Sequence, residues 1–160
     1  MLDRKKAYSD TIPSGTEQEL KNAGIETVYG SASFQTDGHL AVEGKVYVAD
    51  NYILATGARP RVLDIPGNEF LLTSNDFLEL EELPKRLVFL GSGYVSLELA
   101  QIANAAGAEV SVLTHGALKI RGFADEFAAS YIKQLQKEGI SFIDNFSPER
   151  LEQTDSGIKI

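Results

Sequence analysis

Gly91-Ser92-Gly93-Tyr94-Val95-Ser96 is the stretch whose residue types and spacing could do chemistry. A glycine at position 91 permits a tight turn. Gly93, with no Cβ, lets phosphate oxygens approach the backbone, and the small Ser96 lets a following helix pack close to the strand before it. A helix starting just after Gly93 would present unpaired N–H groups and about half a positive charge to an anion. The chemistry implied is recognition of a pyrophosphate, as in a dinucleotide. The match also fits a plain glycine turn into a helix, so its surroundings must carry the argument.

A second group would report which dinucleotide. An acid at the end of the next strand would accept hydrogen bonds from the ribose 2′-hydroxyl of NAD. Here that strand ends in Thr114-His115-Gly116, with Arg121 further on. A guanidinium fork suits a phosphate, which tilts the cofactor toward NADP over NAD. Arg121 also reads as a solvated charge, and His115 as an ordinary loop residue.

The elements that must position these residues follow a βαβαβ pattern. Leu87-Val88-Phe89-Leu90 reads as a short buried strand. Tyr94 to Ala106 reads as a helix with Val95, Leu99, Ile102 and Ala106 on one face. Val110 to Leu113 is a strand. Phe123, Phe127, Tyr131 and Leu135 recur every four residues, so Ala124 to Glu138 is a helix, and Ile140 to Ile143 is a third strand. Gly107 and Gly139 stop the two helices. Alternation at this spacing predicts an α/β fold, a Rossmann-like parallel sheet with helices packed on it.

Before it, the pattern differs. Residues 1–13 carry little pattern, and Gly15 to Ala23 reads as the end of a helix capped by Gly24. Ile25 to Phe34 reads as extended. Asp37-Gly38 marks a two-residue hairpin turn between Ser33-Phe34 and Leu40–Val42, and Glu43-Gly44 precedes Val46-Tyr47-Val48. Tyr52-Ile53-Leu54-Ala55 is continuously apolar and reads as a buried strand ending in Thr56-Gly57. Pro66-Gly67 is a turn, and Ser74 reads as the N-cap of a helix from Asn75 to Leu80. Glu149 to Ile160 reads as a further hairpin about Asp155-Ser156-Gly157.

Composition narrows the function classes. Hydrophobic residues are 43% and charged residues 24%, ordinary for a globular domain. A net charge of −8 argues against nucleic acid as a partner. No apolar run approaches a membrane span, and the charged start lacks the apolar core of a secretory signal, so a cytoplasmic setting is the default. With no cysteine, a disulfide framework, a thiolate metal site and a catalytic thiol are all excluded, and no metal site is expected.

Gly91-Ser92-Gly93-Tyr94-Val95-Ser96-Leu97-Glu98-Leu99-Ala100 resembles the nicotinamide-binding signature of the pyridine nucleotide-disulfide oxidoreductases. Ile53-Leu54-Ala55-Thr56-Gly57-Ala58-Arg59-Pro60, followed by Ile65-Pro66-Gly67, resembles that family's second flavin motif, in the matching order and spacing. The resemblance implies that Gly91, Ser92, Gly93, Val95 and Ser96 belong to the pyrophosphate turn. It implies that Tyr94 covers the flavin and moves aside for nicotinamide, with Glu98 near both rings. Ala55, Thr56 and Gly57 would pass close to FAD. Thr114, His115 and Arg121 fall where relatives distinguish NADPH from NADH, and Arg121 alone keeps the NADPH pattern. Plainer readings stay open. Tyr94 fits a partly buried aromatic, Glu98 a favourable charge at a helix start, and Thr56-Gly57 an ordinary strand end.

The resemblance also implies a division of the chain. Residues 1–70 correspond to the later part of an FAD-binding domain and a connector, and residues 71–160 to an NAD(P)-binding domain short of its last strand. The family's FAD pyrophosphate turn, redox-active cysteine pair and dimerisation domain have no counterpart here. The expectation is therefore a segment of an enzyme that passes a hydride from NAD(P)H to FAD and on to a disulfide or related acceptor. The segment itself would neither hold FAD tightly nor turn over. An exposed sheet edge would favour pairing between copies, as a homodimer. The rival expectation is a free-standing NAD(P)-binding regulatory module. A single-domain dehydrogenase of another kind would need a base, and of the two histidines His39 adjoins a hairpin turn.

Overall fold

The computed structural model describes residues 2–160. It divides into two compact units, Met1–Arg59 and Pro60–Ile160.

In the first unit, helices α1 (Leu2–Ser9) and α2 (Ile12–Asn22) precede a three-stranded antiparallel sheet of β1 (Ala32–Phe34), β2 (Leu40–Val42) and β3 (Lys45–Tyr47). The helices correct the reading of residues 1–13 as featureless. Pro13 falls in the first turn of α2, where proline costs no hydrogen bond, so it starts the helix rather than delaying it. The helix stops as expected: Gly24 lies at φ +76°, its N–H bonds the Lys21 carbonyl, and the Ile25 N–H bonds that of Leu20.

The first hairpin turn is a residue longer than a two-residue loop. The Gln35 N–H bonds the His39 carbonyl and the Gly38 N–H that of Gln35, leaving Thr36-Asp37-Gly38 as the loop, with Gly38 left-handed. The second turn, Glu43-Gly44, is two residues, both at positive φ. Tyr52 packs edge-on against Phe34, and its hydroxyl bonds the Tyr47 carbonyl.

Residues 52–55 are not a buried strand. They pair with no strand among the described residues, and Ile53 and Leu54 are 92% and 72% exposed. An apolar run becomes a central strand only when neighbours supply its ladder, and none is at hand within this unit.

The second unit carries the βαβαβ arrangement. Strands β4 (Arg86–Leu90), β5 (Glu109–Leu113) and β6 (Ser141–Ile143) form a parallel sheet in that order. Helices α4 (Tyr94–Ala105) and α5 (Asp125–Lys137) are the crossovers. Each ends in the same device. Gly107 and Gly139 are left-handed, and the next residues, Ala108 and Ile140, bond back to the carbonyls of Ala103 and Leu135. All four of those flanking residues are buried, so one motif stops the helix and delivers the chain to the next strand.

The core joins Leu97, Ala100 and Ala103 of α4 and Ala128, Ile132 and Leu135 of α5 to Val110, Val112 and Ile140. The apolar patterns are used unevenly. On α4, Val95, Ile102 and Ala106 are exposed, and of that stripe only Leu99 is buried. The alanines, offering little apolar area, let the helix close on the sheet, so the small stripe wins over the larger one. On α5, Phe123 and Phe127 are exposed and Tyr131 half-buried, while Ala128, Ile132 and Leu135 face inward. In β4, Val88 is exposed and Leu87, Phe89 and Leu90 half-buried, because β4 has a partner strand on one edge only among the described residues.

Helix α3 (Ser74–Leu78) packs through Phe77 against Phe89. Its N-cap is Thr73, one residue before Ser74. Thr73 and Asp76 exchange side chain-to-backbone bonds in a capping box. The Thr73 hydroxyl, and after it the Thr73 N–H, donate to the Asp76 carboxyl and hold it below its usual range. Strands β7 (Glu152–Thr154) and β8 (Gly157–Lys159) form the expected antiparallel hairpin. It is tied to Pro66-Gly67: the Leu151 N–H bonds the Pro66 carbonyl, and Gly67, at φ +81°, has no room for a Cβ against the Leu151 backbone. No helix among the described residues is long and apolar enough to cross a membrane.

Candidate functional site

The glycine turn leaves the C-terminal end of β4 and opens α4. Leu90 and Leu113 are register partners, and the Gly91 N–H extends the ladder one step further to the Leu113 carbonyl at 2.7 Å. The residues after β4 and those after β5 therefore lie side by side at the carboxyl edge of a parallel sheet, where open α/β sheets bind ligands.

Two backbone facts define the turn. Gly91 lies at φ +98°, a region that L side chains enter only at a cost. Gly93 is the N-cap of α4, with ordinary extended dihedrals and no side-chain cap. A Cβ built on Gly93 would meet only open space, so nothing in the unit's own packing requires glycine there. The missing side chain leaves backbone accessible from outside. The first intrahelical bond runs from Leu97 N–H to Gly93 carbonyl, which leaves the N–H groups of Tyr94, Val95 and Ser96 for an outside acceptor. Such a donor set at a helix N-terminus suits an anion.

Ser92 behaves differently from its neighbours. It is buried, and its hydroxyl donates to the Lys119 carbonyl at 2.6 Å. Thr114 is buried too. Its hydroxyl donates to the Gly116 carbonyl at 2.7 Å, its N–H extends the β5–β6 ladder to Ile143, and its carbonyl accepts from Phe146. Both hydroxyls are spent inside the fold. His115 is exposed, with Nδ1 2.6 Å from the Ser147 hydroxyl. Arg121 is exposed and forms no ion pair among the described residues.

A cleft of about 340 Å³ opens beside the turn, between α4 and the start of α5. Tyr94 and Glu98 line it from α4, and Phe123, Phe127 and Tyr131 from the other side. Tyr94 is 61% exposed, so burial does not account for an aromatic there. The Tyr131 phenol is pushed above its ordinary pKa, first by burial and then by the negative charges of Glu98 and Glu138. The four-residue aromatic period of α5 was legible in the sequence. That it lines this cleft was not.

Ala55, Thr56 and Gly57 lie in the first unit. All three are exposed, with Gly57 left-handed and open space where its Cβ would be.

Parallel strands joined by helices, with a two-glycine turn at the sheet's carboxyl edge, define a Rossmann-like α/β fold. The family model described as pyridine nucleotide-disulphide oxidoreductase matches residues 3–160, and the chain belongs to that family. It is 30% identical to glutathione reductase of Nostoc sp. over 88% of its length. It is 32% identical to dihydrolipoyl dehydrogenase 2 of Haloarcula marismortui over its whole length, and 32% identical to mercuric reductase of Staphylococcus aureus over 98% of it. The chain spans 31%, 36% and 28% of those three relatives. Among solved structures, it superposes on the HOCl-induced flavoprotein disulfide reductase RclA from Escherichia coli with a TM-score of 0.88 at 25% identity. That match covers 98% of this chain and 37% of the other.

Proposed function

We propose that residues 71–160 bind NADPH, less favourably NADH, as the nicotinamide-binding part of a flavin-dependent oxidoreductase. The observation that carries the reading is Gly93: a helix N-cap with no side chain, open to the outside although its own packing would admit one. In this reading the N–H groups of Tyr94, Val95 and Ser96 hold the pyrophosphate, and left-handed Gly91 aims them. The Thr114–Arg121 segment meets the adenosine ribose. Arg121 supplies the fork for a 2′-phosphate, and His115 supplies a second donor. Tyr94 and Glu98 line the cleft that takes the nicotinamide end. Tyr94 would shield it from water, and Glu98 would orient the carboxamide.

Ala55, Thr56 and Gly57 contribute backbone to an FAD site. The two cofactors together supply hydride transfer, and the protein supplies orientation and electrostatics. A disulfide or related acceptor would take the electrons in the whole protein, while the 160-residue chain binds dinucleotide without turnover.

Calorimetric titration of the chain with NADPH and NADH tests this. Binding of NADPH, several-fold tighter than NADH, is expected. Tighter NADH binding would overturn the role of Arg121, and absence of binding by either would overturn the site.

A further inference from the structure

Ser92 lies between the two glycines of the turn, yet its hydroxyl points away from the accessible side and bonds the Lys119 carbonyl. Its partner belongs to the segment that carries Arg121, two residues further on, and Ile120 between them is buried. The near end of that segment is also tied. Thr114 bonds Gly116, and the Asn145 and Phe146 N–H groups bond the Gly116 and Thr114 carbonyls. Lys119 itself has a loose ion pair to Asp125, 3.7 Å and solvent-exposed, worth little as a fixing contact. Among the described residues, the Ser92 bond is therefore the partly buried side-chain tie between the glycine turn and the residues around Arg121.

We infer that Ser92 is a positioning residue for dinucleotide selectivity. It touches no phosphate with its hydroxyl. It sets the spacing between the donors at the start of α4 and the guanidinium of Arg121, so that one rigid ligand meets both. The inference rests on the proposed NADPH site and adds to it a residue that acts through another. The physical reason is preorganisation. A tethered segment has already lost the freedom that a ligand with a 2′-phosphate would otherwise have to take from it. A ligand without that phosphate meets the segment only through the ribose and gains less from the tether.

The test is a double-mutant cycle on the chain, with NADPH and NADH as probes and circular dichroism as the check on folding. Ser92→Ala should weaken NADPH five- to tenfold and leave NADH within twofold. In an Arg121→Ala background, Ser92→Ala should leave NADPH affinity unchanged within twofold, because the group it positions is gone. Ser92→Thr, which keeps the hydroxyl, should restore most of the NADPH preference. Equal losses for both dinucleotides, or additive losses in the cycle, would overturn the inference and leave the proposed site standing. A wild-type chain that binds neither dinucleotide would overturn both. Should Ser92→Ala fail to fold, Ser92→Thr and Ser92→Cys are read for the same ratio. An unchanged NADPH-to-NADH ratio in Ser92→Cys, whose thiol is a weak donor, would count against the inference.

Discussion

Gly93→Ala separates binding from folding. Gly93 has φ −66° and ψ 157°, and a Cβ there has nothing within 4 Å. Two folding effects oppose each other. Removing glycine's freedom in the unfolded chain stabilises by about 0.4–1 kcal/mol. Alanine is a poorer N-cap than glycine, which costs about 0.5–1 kcal/mol. They nearly cancel, and at about 2–4 °C per kcal/mol for a chain of this size the Tm should stay within about 3 °C of wild type. Binding should not survive, because the methyl group occupies the approach to the first-turn N–H groups. A loss of tenfold or more in NADPH affinity is expected, about 1.4 kcal/mol. Gly91→Ala is the contrast. Its φ of +98° makes alanine cost about 1–2 kcal/mol in folding, a fall of about 2–8 °C. Thermal melts and calorimetric titration of the two variants decide it. A Gly93→Ala protein that melts as low as Gly91→Ala, or binds NADPH as wild type does, would refute the reasoning.

Gly67→Ala should cost about 2 kcal/mol or more, since it adds a backbone collision with Leu151 to a left-handed φ. A melt within 1 °C of wild type, at about 2–4 °C per kcal/mol, would exclude that contact. Tyr131 should ionise above the ordinary tyrosine range. Its raised folded pKa means its contribution to stability is intact below about pH 10, the unfolded value, and lost as pH rises through the folded one. Ultraviolet titration should lose a component above about pH 10 in Tyr131→Phe, and an unchanged curve would contradict the shift. The purified chain should be colourless, since Ala55–Gly57 and the apolar residues before them are exposed and unpaired with any strand among the described residues. A bound flavin spectrum would contradict this.

Local signals were legible without the fold. Gly24, Gly107 and Gly139 end their helices, because left-handed φ is a property of the residue itself. The glycine turn, the three parallel strands and the places, though not every length, of the three hairpin turns follow from short-range chemistry in the same way, and so did the family they resemble. Whatever depended on a distant partner was not legible. Tyr52 to Ala55 has the composition of a buried strand, but burial is conferred by neighbouring strands. The α4 and α5 helices each carry two apolar stripes, and only the sheet's shape selects the small one on α4 and Ala128, Ile132 and Leu135 on α5. The Ser92 hydroxyl finds a carbonyl in another loop, and no periodicity reports that. Sequence determines which conformations each residue tolerates. The packed structure decides which of its surfaces and polar groups are used inside and which are left for a ligand, because burial and hydrogen bonding are settled between segments.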